Sequence, residues 1–344
     1  MSARGEAERS FMDGGPDEVG PDEIGMRLRR ATEAAALAHY DHQGTALGEA
    51  GSREAAKAMA AALAETGIAG RILSGLSGPG VPSMLETGAL LSSDALGAGH
   101  DRAEAPLDLL LDPAEGASFL VPGHSSAMAV IAAASPGGLA ELTPALYMEK
   151  LVAGAAARGR IDIEAPIEER LAQLARALGK PIAGLTIFIV EKPRHRGLIE
   201  RIHGCGAGVV LQPAGDVGGA LLALLPERGI DALMGTGGLA EGLMAALAAK
   251  VLGGTFFARL DPQLPSERMA IKRAGLDTGR WRELDGIVPA ARIHFAATGI
   301  AEGALLSGVR RGNGLDRSET LILGPGPERY FLKTERPQRS GRGG

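Results

Sequence analysis

The chain has 344 residues, of which 45% are hydrophobic and 22% are charged, and its formal net charge is −5 at pH 7. This composition is typical of a folded globular protein, and the lack of a basic excess argues against a nucleic-acid partner. The single cysteine, Cys205, excludes an intramolecular disulfide and suits a reducing compartment. No apolar stretch approaches the roughly 20 residues of a membrane-spanning helix, and the first residues lack the apolar core of a secretory signal. We therefore expect a soluble, cytoplasmic protein.

In the first half of the chain, the spacing of apolar residues predicts two helices and three strands. The acidic, Gly- and Pro-containing segment 1–24 before them is typical of a disordered leader. Ser52 has the character of an N-cap for the second helix. The predicted helices are 26–40 and 52–65, and the predicted strands are 71–73, 109–111 and 127–134.

From about residue 161, strands and helices alternate with short loops, which favours an α/β domain with a largely parallel sheet. We therefore predict two α/β halves, 25–160 and 161–333, and a disordered basic tail at 334–344. The predicted strands of this region are 185–190, 208–211, 231–234, 292–296 and 319–323, and the predicted helices are 164–178, 193–203, 217–225 and 239–251.

One strand end stands out chemically. The leucine run at 109–111 meets Asp112 and Pro113, and Glu115 follows three positions after Asp112. Because proline cannot continue a central ladder, we expect the chain to leave the sheet there and to carry both acids to its edge. Converging carboxylates on such a loop are how a divalent metal is held, although Asp-Pro is equally common as a simple strand stop. Both interpretations remain open on these residues alone.

Three further strand ends carry polar groups, and ligands of α/β sheets bind at such ends. Lys192-Pro193-Arg194-His195-Arg196 opens a helix with guanidinium groups beside its free N–H groups, which favours a phosphate. Pro213-Ala214-Gly215-Asp216 places an acid near a helix N-cap, where capping is the commoner role. The glycine-rich segment 234–242 contains Glu241 in the first helical turn. Together these ends suggest a metal-assisted phosphate-ester site, and each alone also fits an ordinary turn.

The motifs, taken in order, resemble those of the class II fructose-1,6-bisphosphatases over about residues 25–333. They are TEAAALA at 32–38, DPAEG at 112–116, YMEKL at 147–151, KPRH at 192–195, GDV at 215–217, GTGG at 235–238, EG at 241–242 and ATGI at 297–300.

This resemblance implies an αβαβα layered sandwich of the lithium-sensitive sugar-phosphatase type and a dependence on Mn²⁺ or Mg²⁺. It implies removal of the 1-phosphate of fructose 1,6-bisphosphate in gluconeogenesis or the Calvin cycle, by a dimer or tetramer. The positions that match metal-binding acids are Asp112, Glu115 and Glu241. The positions that match substrate contacts are Glu115, Gly116, Tyr147, Arg194, His195, Arg196, Asp216 and Gly238.

The chain also departs from the family pattern at several site positions. Ser52 stands where the family has a metal-binding aspartate, and the loop 75–83 (GLSGPGVPS) lacks the acids of the family loop. Ala117 replaces a threonine that helps to activate the attacking water, and Ala214 replaces an aspartate. Fewer carboxylates and a missing hydroxyl predict a reduced metal site and slower chemistry. Two hypotheses follow: a phosphatase of fructose 1,6-bisphosphate or another sugar phosphate, or a catalytically impaired relative that binds a sugar phosphate or a partner subunit.

Overall fold

The computed structural model describes residues 21–41, 48–77, 80–92, 106–117, 127–289 and 292–338. Within these ranges the helices are α1 Glu23–Tyr40, α2 Gly48–Thr66, α3 Ile167–Leu178, α4 Arg196–Gly204, α5 Asp216–Leu224, α6 Leu239–Val251, α7 Pro265–Arg273 and α8 Leu284–Ile287. The strands are β1 Gly70–Ser74, β2 Leu90–Leu91, β3 Leu107–Glu115, β4 Met128–Ala134, β5 Tyr147–Ala153, β6 Thr186–Val190, β7 Gly208–Gln212, β8 Ala232–Gly238, β9 Thr255–Leu260, β10 Arg282–Glu283, β11 Ile293–Gly299, β12 Arg310–Gly312, β13 Leu315–Leu323 and β14 Arg329–Pro337. The predicted α/β class is confirmed, with two mixed sheets and helices packed on them.

The chain divides into two units that do not follow sequence order. Unit 1 comprises the described residues of Met1–Ala114, Ser126–Ala133 and Ile293–Gly344, and unit 2 those of Glu115–Ser125 and Ala134–Arg292. This division differs from the predicted halves, 25–160 and 161–333. The reason is that β11 and β13 near the C-terminus enter the same sheet as β3 and β4. Such long-range pairing is not encoded in local periodicity.

In unit 1 the sheet has the order β12-β13-β11-β4-β3-β1-β2, and β14 pairs with β13. Helix α1 packs on β11 and β13 and also against α2. It begins at Glu23, because the Asp22 carboxylate accepts the Gly25 N–H at 2.9 Å as an N-cap. Residues 21–24 therefore belong to the folded unit instead of the predicted leader, of which residues 1–20 lie outside the described ranges.

Two of the resemblance motifs, at 32–38 and 297–300, meet inside unit 1. The Thr32 and Thr298 hydroxyls lie 2.8 Å apart, and the Thr298 and Thr320 hydroxyls are also 2.8 Å apart, with all three residues fully buried. The neighbouring Glu33 is buried and accepts hydrogen bonds from Ser318 at 2.8 Å and from Arg336 at 2.6 Å. Buried polar groups need such partners, so these motif residues join α1 to the sheet.

Three expectations for unit 1 need correction. Helix α2 begins at Gly48, so Ser52 lies within the helix and is not its N-cap. Strand β14 extends to Pro337, so residues 334–337 of the predicted disordered tail are strand; residues 339–344 of that tail lie outside the described ranges. Strands β2, β12 and β14 were not predicted, and neither were β5, β9 and β10 of unit 2, because pairing partners, more than their own periodicity, define them.

Strand β3 also differs from its prediction, since it continues through Asp112 and Pro113 to Glu115. Its registered pairs with β1 end at Leu110, so the missing N–H of Pro113 breaks no bond to that neighbour. The turn comes only at Gly116, whose φ of +73° suits glycine. Because side chains of a strand alternate, Asp112 and Glu115, three positions apart, leave the backbone on opposite faces of β3.

In unit 2 the sheet has the order β10-β9-β5-β8-β6-β7. Strands β6, β7 and β8 are parallel, as predicted, whereas β5 runs antiparallel to β8 and β9. Helices cover both faces: Ile187 and Ile189 face the α3 and α4 core, and Phe188 between them packs against Gly219 of α5. The carboxyl ends of β6, β7, β8 and β9 therefore share one edge with the start of β5. This edge carries the chemistry described next.

Candidate active site

A buried ion pair lies behind this edge of unit 2. The Lys150 Nζ lies 2.7 Å from Asp216 Oδ2; the lysine side chain is 0% exposed and the aspartate 13%. Lys150 lies on β5 opposite Gly235 of β8, and Asp216 is the first residue of α5. A buried ammonium requires a paired anion, so each of these residues fixes the position of the other.

Glu241 lies beside this pair, in the first turn of α6. Burial raises the pKa of Glu241, and the neighbouring Asp216 carboxylate raises it further, while Lys150 acts in the opposite direction. Gly237 and Gly238 make room for this arrangement: a Cβ on Gly237 would overlap the Asp216 carboxylate, and one on Gly238 would overlap that of Glu241. The glycines of the GTGG motif are therefore required for close approach of acids to the strand.

The predicted metal ligands are placed in three different environments. Asp112, in unit 1, accepts the Ala114 N–H at 2.9 Å. Glu115 is 3% exposed, and its Oε1 accepts the Val217 N–H at 3.2 Å in the first turn of α5, where the helix dipole favours an anion. In the described part of the chain, no group of three or more His, Cys, Asp or Glu side chains is arranged to hold a metal ion. The convergence of Asp112, Glu115 and Glu241 thus stays a prediction.

Arg194 and Tyr147 come together at the rim of the edge. The Arg194 guanidinium lies 5.6 Å from the centre of the Tyr147 ring and donates from Nε and Nη2 to the Thr236 carbonyl oxygen, at 3.1 and 2.9 Å. The Thr236 hydroxyl in turn donates to Asp261 Oδ2 at 2.6 Å. Arg194 is still exposed, so its remaining N–H groups face solvent, where an anion can reach them.

His195, predicted to contact substrate, instead joins two strand ends. Its Nε2 accepts the Thr236 N–H at 2.9 Å and its Nδ1 lies 2.6 Å from the Val190 carbonyl, so the ring is neutral with its proton on Nδ1. Burial lowers the pKa of His195, and the side chain is only 4% exposed. Because both ring nitrogens bind backbone, His195 positions β8, and its contact with substrate stays a prediction.

The remaining predicted positions are local. Arg196 begins α4 and is exposed, Gly116 forms the turn after β3, and Ala117 is buried at 2% exposure and offers no hydroxyl. Ser52 is partly buried within α2. The acid-free loop 75–83 is described except at residues 78 and 79.

Sequence reasoning passed over four residues of this edge: Lys150, Thr236, Asp261 and Glu267. Lys150 had a usable signal, since a lysine in the middle of an apolar strand needs a buried partner. Glu267 also had one, as an acid at the third position of a proline-started helix. Thr236 lies in the GTGG motif without being singled out there, and Asp261 carried no distinctive local pattern.

This α/β sheet edge combines a buried ammonium, carboxylates and exposed guanidinium groups. Such a combination is typical of a protein that binds a phosphate ester. Residues 22–330 match the family described as bacterial fructose-1,6-bisphosphatase, glpX-encoded. The chain belongs to this family.

Similar curated proteins carry consistent names. Fructose-1,6-bisphosphatase class 2 of Haemophilus influenzae is 33% identical over 313 residues, which cover 87% of this chain and 91% of the relative. Fructose-1,6-bisphosphatase 1 class 2 of Escherichia coli K12 is 32% identical over 314 residues, covering 88% and 91%. D-fructose 1,6-bisphosphatase class 2/sedoheptulose 1,7-bisphosphatase of a Synechococcus strain is 33% identical over 319 residues, covering 88% and 92%. Helices long and apolar enough to cross a membrane are not found in the described ranges.

Proposed function

We propose that this protein is a metal-dependent phosphatase that removes the 1-phosphate of fructose 1,6-bisphosphate and releases fructose 6-phosphate and phosphate. The observation that carries the proposal is the family match over residues 22–330. Retention of Arg194, Tyr147 and Asp216 at one sheet edge of unit 2 supports it, because these residue types bind phosphates and sugar hydroxyls.

Arg194 is the residue that we propose to bind a substrate phosphate. Its guanidinium is exposed yet held in place by two hydrogen bonds to Thr236 and by the Tyr147 ring. A planar guanidinium that is already oriented loses little entropy when it binds a phosphate. Arg196, exposed at the start of α4, adds positive charge on the same segment. The Tyr147 hydroxyl is the proposed contact to the sugar.

A divalent cation fits the donors of the edge. Burial raises the pKa of Glu241, and the neighbouring Asp216 carboxylate adds to this rise; a hard cation beside Glu241 would favour its ionised form. We propose that Glu241 holds Mg²⁺ or Mn²⁺ together with substrate phosphate, with Asp112 and Glu115 as the further candidate ligands. Such a cation, when bound, neutralises phosphate charge and acidifies bound water.

The protein's own residues set the remaining chemistry. The bond from Lys150 holds Asp216 in place, so that this carboxylate can accept a hydrogen bond from a sugar hydroxyl without moving. Ala117 cannot take a proton from the attacking water, so we expect kcat to be lower by about 10²–10⁴-fold than with a positioned hydroxyl. A low but measurable kcat would indicate slow hydrolysis, whereas a relative that only binds the sugar phosphate would release no phosphate.

The test is phosphate release from fructose 1,6-bisphosphate by the purified protein with Mn²⁺ or Mg²⁺, compared with Asp112→Ala. We expect slow release that Asp112→Ala abolishes and that Ala117→Thr accelerates. Release no faster than that of Asp112→Ala, in both the wild type and Ala117→Thr, would refute the enzyme hypothesis and leave a sugar-phosphate-binding relative. Sedoheptulose 1,7-bisphosphate should be assayed in parallel, because a relative of equal identity is named for both substrates.

The cellular setting belongs to the same proposal. A phosphatase of central sugar metabolism works in the cytoplasm, and the family resemblance favours a dimer or tetramer. Light scattering coupled to size-exclusion chromatography measures the assembly directly. A monomer at all concentrations would remove that part of the proposal without affecting the reaction.

A further inference from the structure

Glu267 is a buried acid that accepts more hydrogen bonds than the capping of its own helix requires. It lies in the first turn of α7 (Pro265–Arg273) and is 3% exposed. Four backbone N–H groups in the described chain donate to its carboxylate. Oε2 accepts from Gln263 at 2.9 Å and from Leu264 at 3.4 Å, and Oε1 accepts from Leu146 at 2.7 Å and from Tyr147 at 2.9 Å.

The two oxygens have different tasks. The bonds to Gln263 and Leu264 belong to helix capping, in which an acid at the third position accepts the N-cap amide. The bonds to Leu146 and Tyr147 reach a segment about 120 residues away in sequence and contribute nothing to α7. They fix the first residue of β5 by two charge-assisted bonds to consecutive amides, a stronger restraint than neutral hydrogen bonds supply.

The segment so fixed is the rim of the candidate site. The Tyr147 ring lies against the Arg194 guanidinium, and the Leu146 carbonyl accepts the N–H of Leu239, the first residue of α6. The Tyr147 carbonyl accepts the Asp261 N–H at 3.2 Å. Glu267 therefore lies at a junction of β5, β9, α6 and α7, and the four groups that donate to it are all backbone amides.

We infer that Glu267 is a positioning residue that holds Tyr147, and through its ring the Arg194 guanidinium, in the geometry that binds the sugar phosphate. The inference rests on the proposed function for the substrate. It also assigns a role to a carboxylate that would otherwise be an ordinary helix cap.

Two variants weaken the bonds of the carboxylate in different ways, and a third variant is the control. Glu267→Asp keeps the negative charge near the α7 amides but shortens the side chain by one C–C bond, about 1.5 Å, so it no longer reaches Leu146 and Tyr147. Glu267→Gln keeps the length but replaces one oxygen by an amide group that cannot accept. Asp231→Asn is the matched control, since Asp231 accepts the Thr186 N–H at 2.9 Å at the opposite edge of the same sheet.

The measurements are hydrogen exchange of the Leu146 and Tyr147 amides, and KM, kcat and equilibrium binding with fructose 1,6-bisphosphate. We expect both Glu267 variants to lose protection at these amides and to raise KM and Kd by about tenfold with kcat changed less than twofold. Asp231→Asn should leave KM and Kd unchanged.

The outcomes are distinguishable. Equal loss of affinity in Asp231→Asn, or unchanged KM and Kd in both Glu267 variants, would overturn the inference. Wild-type protein that neither binds nor hydrolyses the bisphosphate would instead overturn the proposed function, and the inference with it.

Discussion

Replacement of Lys150 by methionine tests whether the buried ion pair organises the candidate site. Methionine keeps most of the apolar stem, so the variant removes chiefly the ammonium group. Asp216 is then left with little solvent and without the cation that lies 2.7 Å away in the wild type. The nearby Glu241 carboxylate also loses the charge that opposes its repulsion from Asp216.

The size of the effect follows from the geometry. At 2.7 Å and an effective dielectric constant of about 20, the attraction between the two charges is about 6 kcal/mol. Removal of the ammonium also removes its desolvation penalty, so the observed loss is smaller, and broken buried pairs typically cost about 3–5 kcal/mol. Because the Asp216 side chain is 13% exposed and can take up some water, we expect the lower end, about 3 kcal/mol at neutral pH.

Urea unfolding at pH 7 measures this loss as a shift of the midpoint at constant slope. The double variant Lys150→Met/Asp216→Asn should be more stable than Lys150→Met, since no charge is left unpaired. Lys250→Met is the control, because the Lys250–Asp285 pair has an aspartate side chain that is 67% exposed, and such pairs contribute little. A loss below about 1 kcal/mol, or additive losses in the double variant, would refute the argument.

Three further predictions concern the same edge. Glu241→Gln should stabilise the protein at neutral pH but not below about pH 4, because the pKa of Glu241 is raised in the folded state and the wild type therefore loses stability as the pH rises. Urea titrations at several pH values measure this difference. A gain in stability that is independent of pH would contradict the prediction. His195→Gln should lower the free energy of unfolding by about 1–3 kcal/mol through loss of the bond to Thr236. The difference in stability from the wild type should narrow as the pH falls below about 6.5, because the pKa of His195 is lowered in the folded state and the wild type therefore loses stability in acid. A difference that stays constant with pH would exclude this cause. Gly235→Ala should lower the free energy of unfolding by about 1–3 kcal/mol, because φ is +127° and a Cβ would lie 2.9 Å from His195 Nε2. Unfolding midpoints measure this loss. The control Gly253→Ala, at φ +65° with open space around the new Cβ, should lose less stability.

The sequence alone indicated the alternation of strands and helices in unit 2. The runs at 185–190 and 208–211 are strands, and the segment 164–178 contains α3, because their periodicity and their flanking turns reflect local physics. The motifs also pointed to the right family, since short strings in fixed order survive where overall identity is low. Arg194, Asp216 and Glu241 follow the carboxyl ends of parallel strands, and the structure has these ends at one edge of the unit 2 sheet.

The partners of these residues could not be read from the sequence. For His195 the sequence suggested a substrate contact, and it gave no sign that the ring binds the backbone of Val190 and Thr236. Asp112 and Glu115 were expected on a loop beyond the sheet, yet β3 continues through both residues. In each case the deciding contact joins positions far apart in the chain or depends on where a strand stops pairing.

The sequence by itself therefore determined the α/β class, the family and the identity of the polar residues at the strand ends, because these depend on local patterns. Only the tertiary structure decided that Lys150 neutralises Asp216 and that Glu267 reaches across to Leu146 and Tyr147. Those contacts arise from burial: a charge removed from water must find a partner, and the fold alone determines which residue lies within reach.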